Sequence, residues 1–200
     1  LNLLERSINL LIQHGIKEIV INVHHLADQI ERFIKNKDLK IKITISNERN
    51  ELLDTGGGIF KGTESFGDDP FIVINPDTVW SSTYKNELNL LEELYSKTKK
   101  ICLLVVEKSL SFDSTFKGDF NVDDNNRISR NSTNHFIFTG MQILNRKIFK
   151  KTEKKIFSMN EIWNDLIEEK DIFALKSKHK FYHLNSKNIY DELLKKKIID

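Results

Sequence analysis

Apolar residues recur along this chain with two different periods, and the changes from one period to the other mark its elements. Leu3, Leu4, Ile8, Leu11 and Ile12 lie at helical spacing and run into His14 and Gly15, a C-terminal stop. Glu18 to Val23 is a short β-branched run of the kind that fills a buried strand. Helical spacing returns with Ile30, Phe33 and Ile34 inside Ala27 to Ile34, and Leu39 to Ile45 then alternates apolar with polar as a half-buried strand does. A polar loop is expected from Ser46 to Gly58, ending in three glycines. Phe71 to Ile74 predicts a compact strand that stops at Asn75, Pro76 and Asp77. A helix through Leu88, Leu91, Leu94 and Tyr95 and a strand from Ile101 to Val106 follow.

Strands alternating with helices over this distance imply parallel pairing through right-handed crossovers, hence a doubly wound, mostly parallel α/β sheet with helices on both faces. In such sheets ligands bind beyond the carboxyl ends of the strands. After Ser109 the strands shorten. Asp119 to Val122 and Phe136 to Leu144 are expected as strands around a turn-rich stretch, and Arg146 to Lys150 and Ser158 to Glu168 as helical segments. Ile172 to Leu175 and Lys180 to Leu184 read as final strands, and Lys187 to Lys197 as a closing helix. Residues 1 to 200 are read as one domain without repeats or flexible linkers. The chain enters its first helical pattern at once and without methionine, which reads as a start inside that domain, with its first strand absent.

Composition narrows the function classes. With 39% hydrophobic and 30% charged residues the chain can bury one real core. Its 31 basic and 29 acidic residues nearly cancel, so no large field draws it to nucleic acid or to a membrane surface. One cysteine, Cys102, inside an apolar run, excludes an internal disulfide framework and suits a reducing compartment. No apolar stretch approaches a membrane span and no leader pattern opens the chain, so a cytoplasmic location is expected. No paired cysteines, metalloprotease His–Glu spacing or serine, histidine and carboxylate set supports a zinc or hydrolase reading.

Two constellations carry candidate chemistry. Asp54, Thr55, Gly56, Gly57 and Gly58 stand between a strand and a helix, where glycines let backbone approach a flat or anionic ligand and a helix start offers free amides. A tight entry turn explains the same triplet. Asp77 sits at the carboxyl end of the strongest strand, where a carboxylate can hold Mg²⁺ before a bound triphosphate; a turn or capping residue is the competing reading.

With the helix and strand "HGIKEIVINVHHLADQIERFI", the loop "NERNELLDTGGGIFKG", the strand "PFIVINPD", "GDF" at Gly118 to Phe120 and "FIFTGMQIL", nearly the whole chain resembles the sugar-1-phosphate nucleotidyltransferases. The similarity is greatest to the bacterial N-acetylmuramate-1-phosphate uridylyltransferase and mannose-1-phosphate guanylyltransferase-like group. The resemblance implies the Rossmann-like nucleotide-diphospho-sugar transferase fold and an enzyme joining a nucleoside triphosphate, UTP or GTP, to a sugar-1-phosphate with release of pyrophosphate. It implies that Gly56 and Gly57 lie against the base, that Glu48 reads the base edge, and that Thr55 and Asn75 belong to the nucleotide-contacting set. It further implies Mg²⁺ on Asp77, and Asp119, Thr139 and Gly140 along the sugar-phosphate side.

Two departures qualify it. The family's first strand and glycine-rich loop with arginine and lysine would precede Leu1, so the chain by itself is expected to be inactive or nearly so. The family's second metal aspartate is matched by His183, a poorer partner for a hard cation, which leaves a softer metal, a phosphate contact or simple packing open for that ring. These departures sustain a rival reading, a degenerate sugar-nucleotide binding or regulatory module without catalysis.

Overall fold

A computed structural model describes residues 2–199; the start at Leu1 lies outside the described residues. Helix α1 (Leu3–His14) begins where the Asn2 side chain accepts from the Glu5 amide at 2.8 Å. It ends at Gly15, whose φ of 99° lets its N–H turn back to Ile12 O. Strand β1 (Glu18–Val23), helix α2 (Ala27–Asn36) and strand β2 (Lys42–Asn47) form one βαβ unit, with β1 and β2 parallel. Strand β2 starts three residues later than expected. Leu39 N and Ile41 N bond to the carbonyls two residues before them, which folds Lys37 to Ile41 into tight turns.

Helix α3 (Asp54–Gly62) takes up the glycine triplet, so the polar loop is shorter than its sequence implies. Then come β3 (Phe71–Ile74), α4 (Tyr84–Thr98), β4 (Ile101–Glu107), the short pair β5 (Asn121–Val122) and β6 (Ile128–Ser129), and β7 (Phe136–Leu144). The chain closes with α5 (Met159–Glu168), β8 (Ile172–Ser177) and α6 (Lys187–Lys195). Arg146–Phe149 is a 3₁₀ turn. Lys180 to Leu184 makes isolated bridges, Ser111 to Phe181 and Thr78 to His183, and no continuous ladder.

The larger sheet has the order β3-β7-β4-β8. Strand β4 is parallel to β8, and β7 is antiparallel to both β3 and β4. The sheet is therefore mixed. Between β4 and β7 the chain folds a small hairpin and no covering helix, so it returns antiparallel instead of crossing over. The doubly wound arrangement holds on both faces. From β4, Ile101, Leu103 and Val105 pack with Ile162 and Trp163 of α5, while Cys102 and Leu104 pack with Leu88 and Leu91 of α4. A strand buried on both faces needs no polar alternation, which is why β4 reads as a continuous apolar run.

Among the described residues β1 pairs only with β2, and β3 only with β7. Between these two edges lies a cavity of about 1000 Å³, walled by β1 and β3, floored by Ile8 and Leu11 of α1, and roofed by Gly58 and Ile59 of α3. Ile72 and Ile74 of β3 join the apolar cluster of Ile8, Leu11 and Ile19 there. The cavity thus lies between the edge strands of the two sheets.

Candidate active site

Helix α3 is drawn into place by residues a hundred positions away. Gly56 N and Gly57 N both donate to Phe157 O, at 2.9 and 3.1 Å, and the Met159 amide donates to Thr55 Oγ1 at 2.9 Å. A Cβ on Gly56 would collide with the Phe157 ring, and one on Gly57 with Lys155 O. Asp54 holds φ 62° and accepts from the Thr55 amide at 2.5 Å. The expectation of free amides at this helix start is therefore corrected: the Thr55, Gly56 and Gly57 amides already have protein acceptors. Gly56 and Gly57 are glycine because the segment Lys155 to Phe157 crosses them in contact.

Glu48 also differs from its expected posture. The residue is only 5% exposed and lines the cavity between β1 and β3, but both of its carboxylate oxygens are taken up by protein donors. Its Oε1 accepts from Asn22 Nδ2 at 2.6 Å and its Oε2 from the Leu53 amide at 3.2 Å. Asn22 donates its second amide hydrogen to Gly58 O at 2.8 Å. The spacing in sequence gave no sign of Asn22, because its partners lie 26 and 36 residues away.

At the end of β3, Asn75 N donates to Gly140 O at 2.8 Å, and Asn75 O accepts from Trp80 Nε1 at 2.7 Å. The cavity beside β3 reaches from Asp54, Thr55 and Gly58 to Asn75 and Pro76, one residue short of Asp77. Beyond Pro76 the chain lies against the segment expected to hold the second metal ligand. Leu184 N donates to Asp77 O at 2.8 Å and Val79 N to Tyr182 O at 2.9 Å. This pairing brings His183 Nε2 to 3.2 Å from Asp77 Oδ2. Phe181 stacks on the imidazole and Phe116 meets it edge-on. Asp77 Oδ1 and His183 Nδ1 are both shielded from solvent without a hydrogen-bond partner.

These orphaned atoms allow a test of fit for a divalent cation. Among the described residues no group of three or more His, Cys, Asp or Glu side chains could hold a metal ion. An Mg²⁺ site built on one carboxylate, with substrate phosphates and water completing the shell, requires no such group. Asp77 Oδ1, a hard oxygen with no protein partner, fits that role. The His183 nitrogen does not suit a hard cation, and its Nε2 is already directed at Asp77 Oδ2.

The expected sugar side divides. Thr139 is fully buried: its hydroxyl donates to Leu104 O at 2.8 Å and its carbonyl accepts from Thr78 Oγ1 at 2.7 Å. Its place along the cleft is corrected accordingly. The β4–β7 register slips so that Val105 faces Phe138 while Leu104 faces Met141, leaving Thr139 and Gly140 as a bulge. Gly140 takes φ 92° there, with its backbone so close to Asn75 that a Cβ would sit 2.8 Å from Asn75 Cβ. Asp119 is exposed; its Oδ2 accepts from the Phe138 amide at 2.8 Å. Asp113, which sequence reasoning missed, accepts from Thr115 and from Asn185 Nδ2 at 2.9 Å, tying its loop to the segment that bears His183.

Cys102 is buried in the core as expected, and burial pushes its thiol up to about 11, outside nucleophile chemistry. Trp80 and Trp163 are packing residues. No described helix is long and apolar enough to cross a membrane.

No family model matches the chain. It is 30% identical over 176 residues to the D-glycero-alpha-D-manno-heptose 1-phosphate guanylyltransferase of Campylobacter jejuni, covering 88% of this chain and 67% of that protein. It is 28% identical over 119 residues to the N-acetylmuramate alpha-1-phosphate uridylyltransferase of Caulobacter vibrioides, a match over 56% of this chain and 49% of that protein. The matches thus span about half and two-thirds of the two relatives. Among solved structures, HddC from Yersinia pseudotuberculosis aligns with a TM-score of 0.73 at 22% identity, over 96% of this chain and 84% of that one. A UDP-glucose pyrophosphorylase complexed with UDP-glucose aligns at 0.74 and 18%, over 98% and 86%. At these identities the structures establish the shared fold.

Proposed function

We propose, because the chain belongs to the sugar-1-phosphate nucleotidyltransferase family, that the whole protein joins a nucleoside triphosphate to a sugar-1-phosphate. A phosphate oxygen of the sugar-1-phosphate attacks the α-phosphorus in line. A new P–O bond forms, the bond to the β-phosphate breaks, and pyrophosphate leaves as the NDP-sugar is made. No covalent enzyme intermediate is needed, so positioning and charge neutralisation carry the catalysis.

The observation that carries this reading is Asp77, whose shielded Oδ1 has no protein partner at the exit of β3, beside the cavity that reaches back to Thr55 and Gly58. Asp77 would hold Mg²⁺, and His183 Nε2, 3.2 Å from Oδ2, orients its carboxylate. The chemistry Mg²⁺ would supply at Asp77 is neutralisation of phosphate charge. Asn75 and Thr55 line the nucleotide side, and Gly140 lets the bulge approach Asn75. Asp119 faces the sugar phosphate from the hairpin. The triphosphate is UTP or GTP, since one relative is a uridylyltransferase and the other a guanylyltransferase.

The cavity between β1 and β3 belongs to the same reading. A strand leading into α1 and then β1 would, by a right-handed crossover, lie parallel beside β1, in this cavity. The isoleucine- and valine-rich walls from β1 and β3 suit such a strand, and its carboxyl end would deliver a phosphate-binding loop toward Asp77. The test is pyrophosphate release by the whole protein across UTP, GTP and a panel of sugar-1-phosphates with Mg²⁺. Turnover with one pair supports the enzyme. Nucleotide binding without turnover on any pair supports the non-catalytic module instead.

A further inference from the structure

Glu48 and Asn22 tie three separate pieces of chain into one joint. The Glu48 amide donates to Val23 O at 2.8 Å, and its carbonyl meets His24 Nδ1 at 2.7 Å, which anchors the residue to the end of β1. Its carboxylate reaches the amide of Leu53, the residue that opens α3. Asn22, on β1 itself, bridges that carboxylate and Gly58 O in the second turn of α3. The third glycine of the triplet exists for this joint. A Cβ on Gly58 would stand 2.9 Å from Glu48 Oε1 and 3.1 Å from Asn22 Nδ2. Gly62, one turn on, is likewise closed off by Asn22 Oδ1 at 3.2 Å.

A buried carboxylate is costly unless hydrogen-bonded, and here neutral donors and the positive end of a helix supply the compensation. We infer that Glu48 and Asn22 act as a strut that fixes α3 at its distance from β1, so that Glu48 is a positioning residue for the nucleotide and not a reader of its base. The strut works on the backbone of α3, common to every nucleotide the site accepts. A base reader would touch the groups by which uracil and guanine differ. This inference rests on the nucleotidyltransferase reading for the ligand, but its mechanical half does not.

The experiment compares the whole protein with its Glu48→Gln, Asn22→Ala and double variants. Glutamine keeps an oxygen acceptor for Asn22 but turns its carboxamide NH₂, a donor, toward the donating Leu53 N–H, and alanine at 22 removes both bridging bonds. Amide hydrogen exchange across Gly56–Ile59, without ligand, should accelerate at least tenfold in each single variant. With UTP and GTP, KM should rise several-fold for both while the ratio of their kcat/KM values stays within twofold. The double variant should be little worse than the poorer single one, because both substitutions cut the same joint. Unchanged exchange in both single variants overturns the strut. A more than tenfold change of the UTP to GTP ratio in Glu48→Gln restores the base reader and overturns it equally. Accelerated exchange in a wild-type background that turns over neither nucleotide keeps the strut and removes the nucleotidyltransferase reading instead.

Discussion

The two ends of the candidate site are built on opposite terms. At the glycine helix the polar groups at the helix start have protein partners: the amides of Thr55, Gly56 and Gly57 and the carboxylate of Glu48 are all engaged. At the Asp77 corner a carboxylate oxygen and an imidazole nitrogen are shielded and unmatched. Protein interiors seldom leave such groups unpaired, which is the ground for proposing this corner as the place of the ligand and the satisfied helix as its scaffold. In the sequence the glycine triplet and the aspartate each admitted a purely local reading, a tight entry turn and a turn or capping residue. The hydrogen bonds tell them apart: the amides of Thr55, Gly56 and Gly57 have protein acceptors and Asp77 Oδ1 has no donor.

The sharpest way to break that contrast is Asp77→Asn in the whole protein. Removing the charge while keeping the shape should lower pyrophosphate release by about a hundredfold or more, the scale of losing one electrostatic stabiliser in a transition state. Thermal stability should change little, since Oδ1 has no protein partner and asparagine still offers an acceptor to His183 Nε2. Undiminished turnover would take Asp77 out of the chemistry and leave its shielded oxygen unexplained.

The opposite pattern is expected at Gly57→Ala. The new methyl presses on Lys155 O, a backbone atom that cannot swing aside, and overpacking of this kind costs roughly 1–3 kcal/mol. The better helix propensity of alanine returns at most about 1 kcal/mol. Urea denaturation should show the loss without any nucleotide present. A variant as stable as wild type, but with weakened nucleotide binding, would return the glycine to the ligand side.

This contrast also shows what the sequence could and could not disclose. Strand β1, β3 and β7 boundaries follow directly from β-branched runs, because local periodicity records which faces are buried. The same logic placed Asp77 at a strand exit. The occupancy of the glycine amides was not legible, since Phe157 approaches from a hundred residues away and one carbonyl has no sequence signature. Thr139 misled for a similar reason: a bulge shifts the β4–β7 register and turns its hydroxyl to Leu104, and no local pattern around Thr139 announces that shift. His183 comes within 3.2 Å of Asp77, and only coordinates show that its ring addresses that carboxylate.

A smaller effect tests which half of the contrast Asp119 belongs to. Its Oδ2 pins the Phe138 amide, so Asp119→Ala should cost about 1 kcal/mol. Asp119→Asn keeps an acceptor and should recover that stability. If KM for the sugar-1-phosphate stays high in the asparagine variant, the charge serves the substrate. Recovery of both quantities would make Asp119 a hairpin pin alone, and move it to the scaffold.

The smallest expected effect lies behind the corner, in Asp113. Hydrogen bonds from Thr115 and then Asn185 hold its carboxyl below the ordinary carboxylate range. A carboxyl with a depressed folded-state pKa stabilises the fold above its unfolded pKa, and that contribution is lost as pH falls through the folded value. The loss should therefore develop on the acid side of the usual carboxylate pKa of about 4, with no change near neutrality. Acid titrations of stability in wild type and Asp113→Asn should diverge at neutral pH, where the charge is present, and converge as both become uncharged. Convergence matters for the comparison of the two ends, because Asn185 lies two residues from His183. If the charge on Asp113 helps to seat that segment, the corner that looks least satisfied is held by a partner outside the site, and its open atoms are positioned by the fold instead of left over from it.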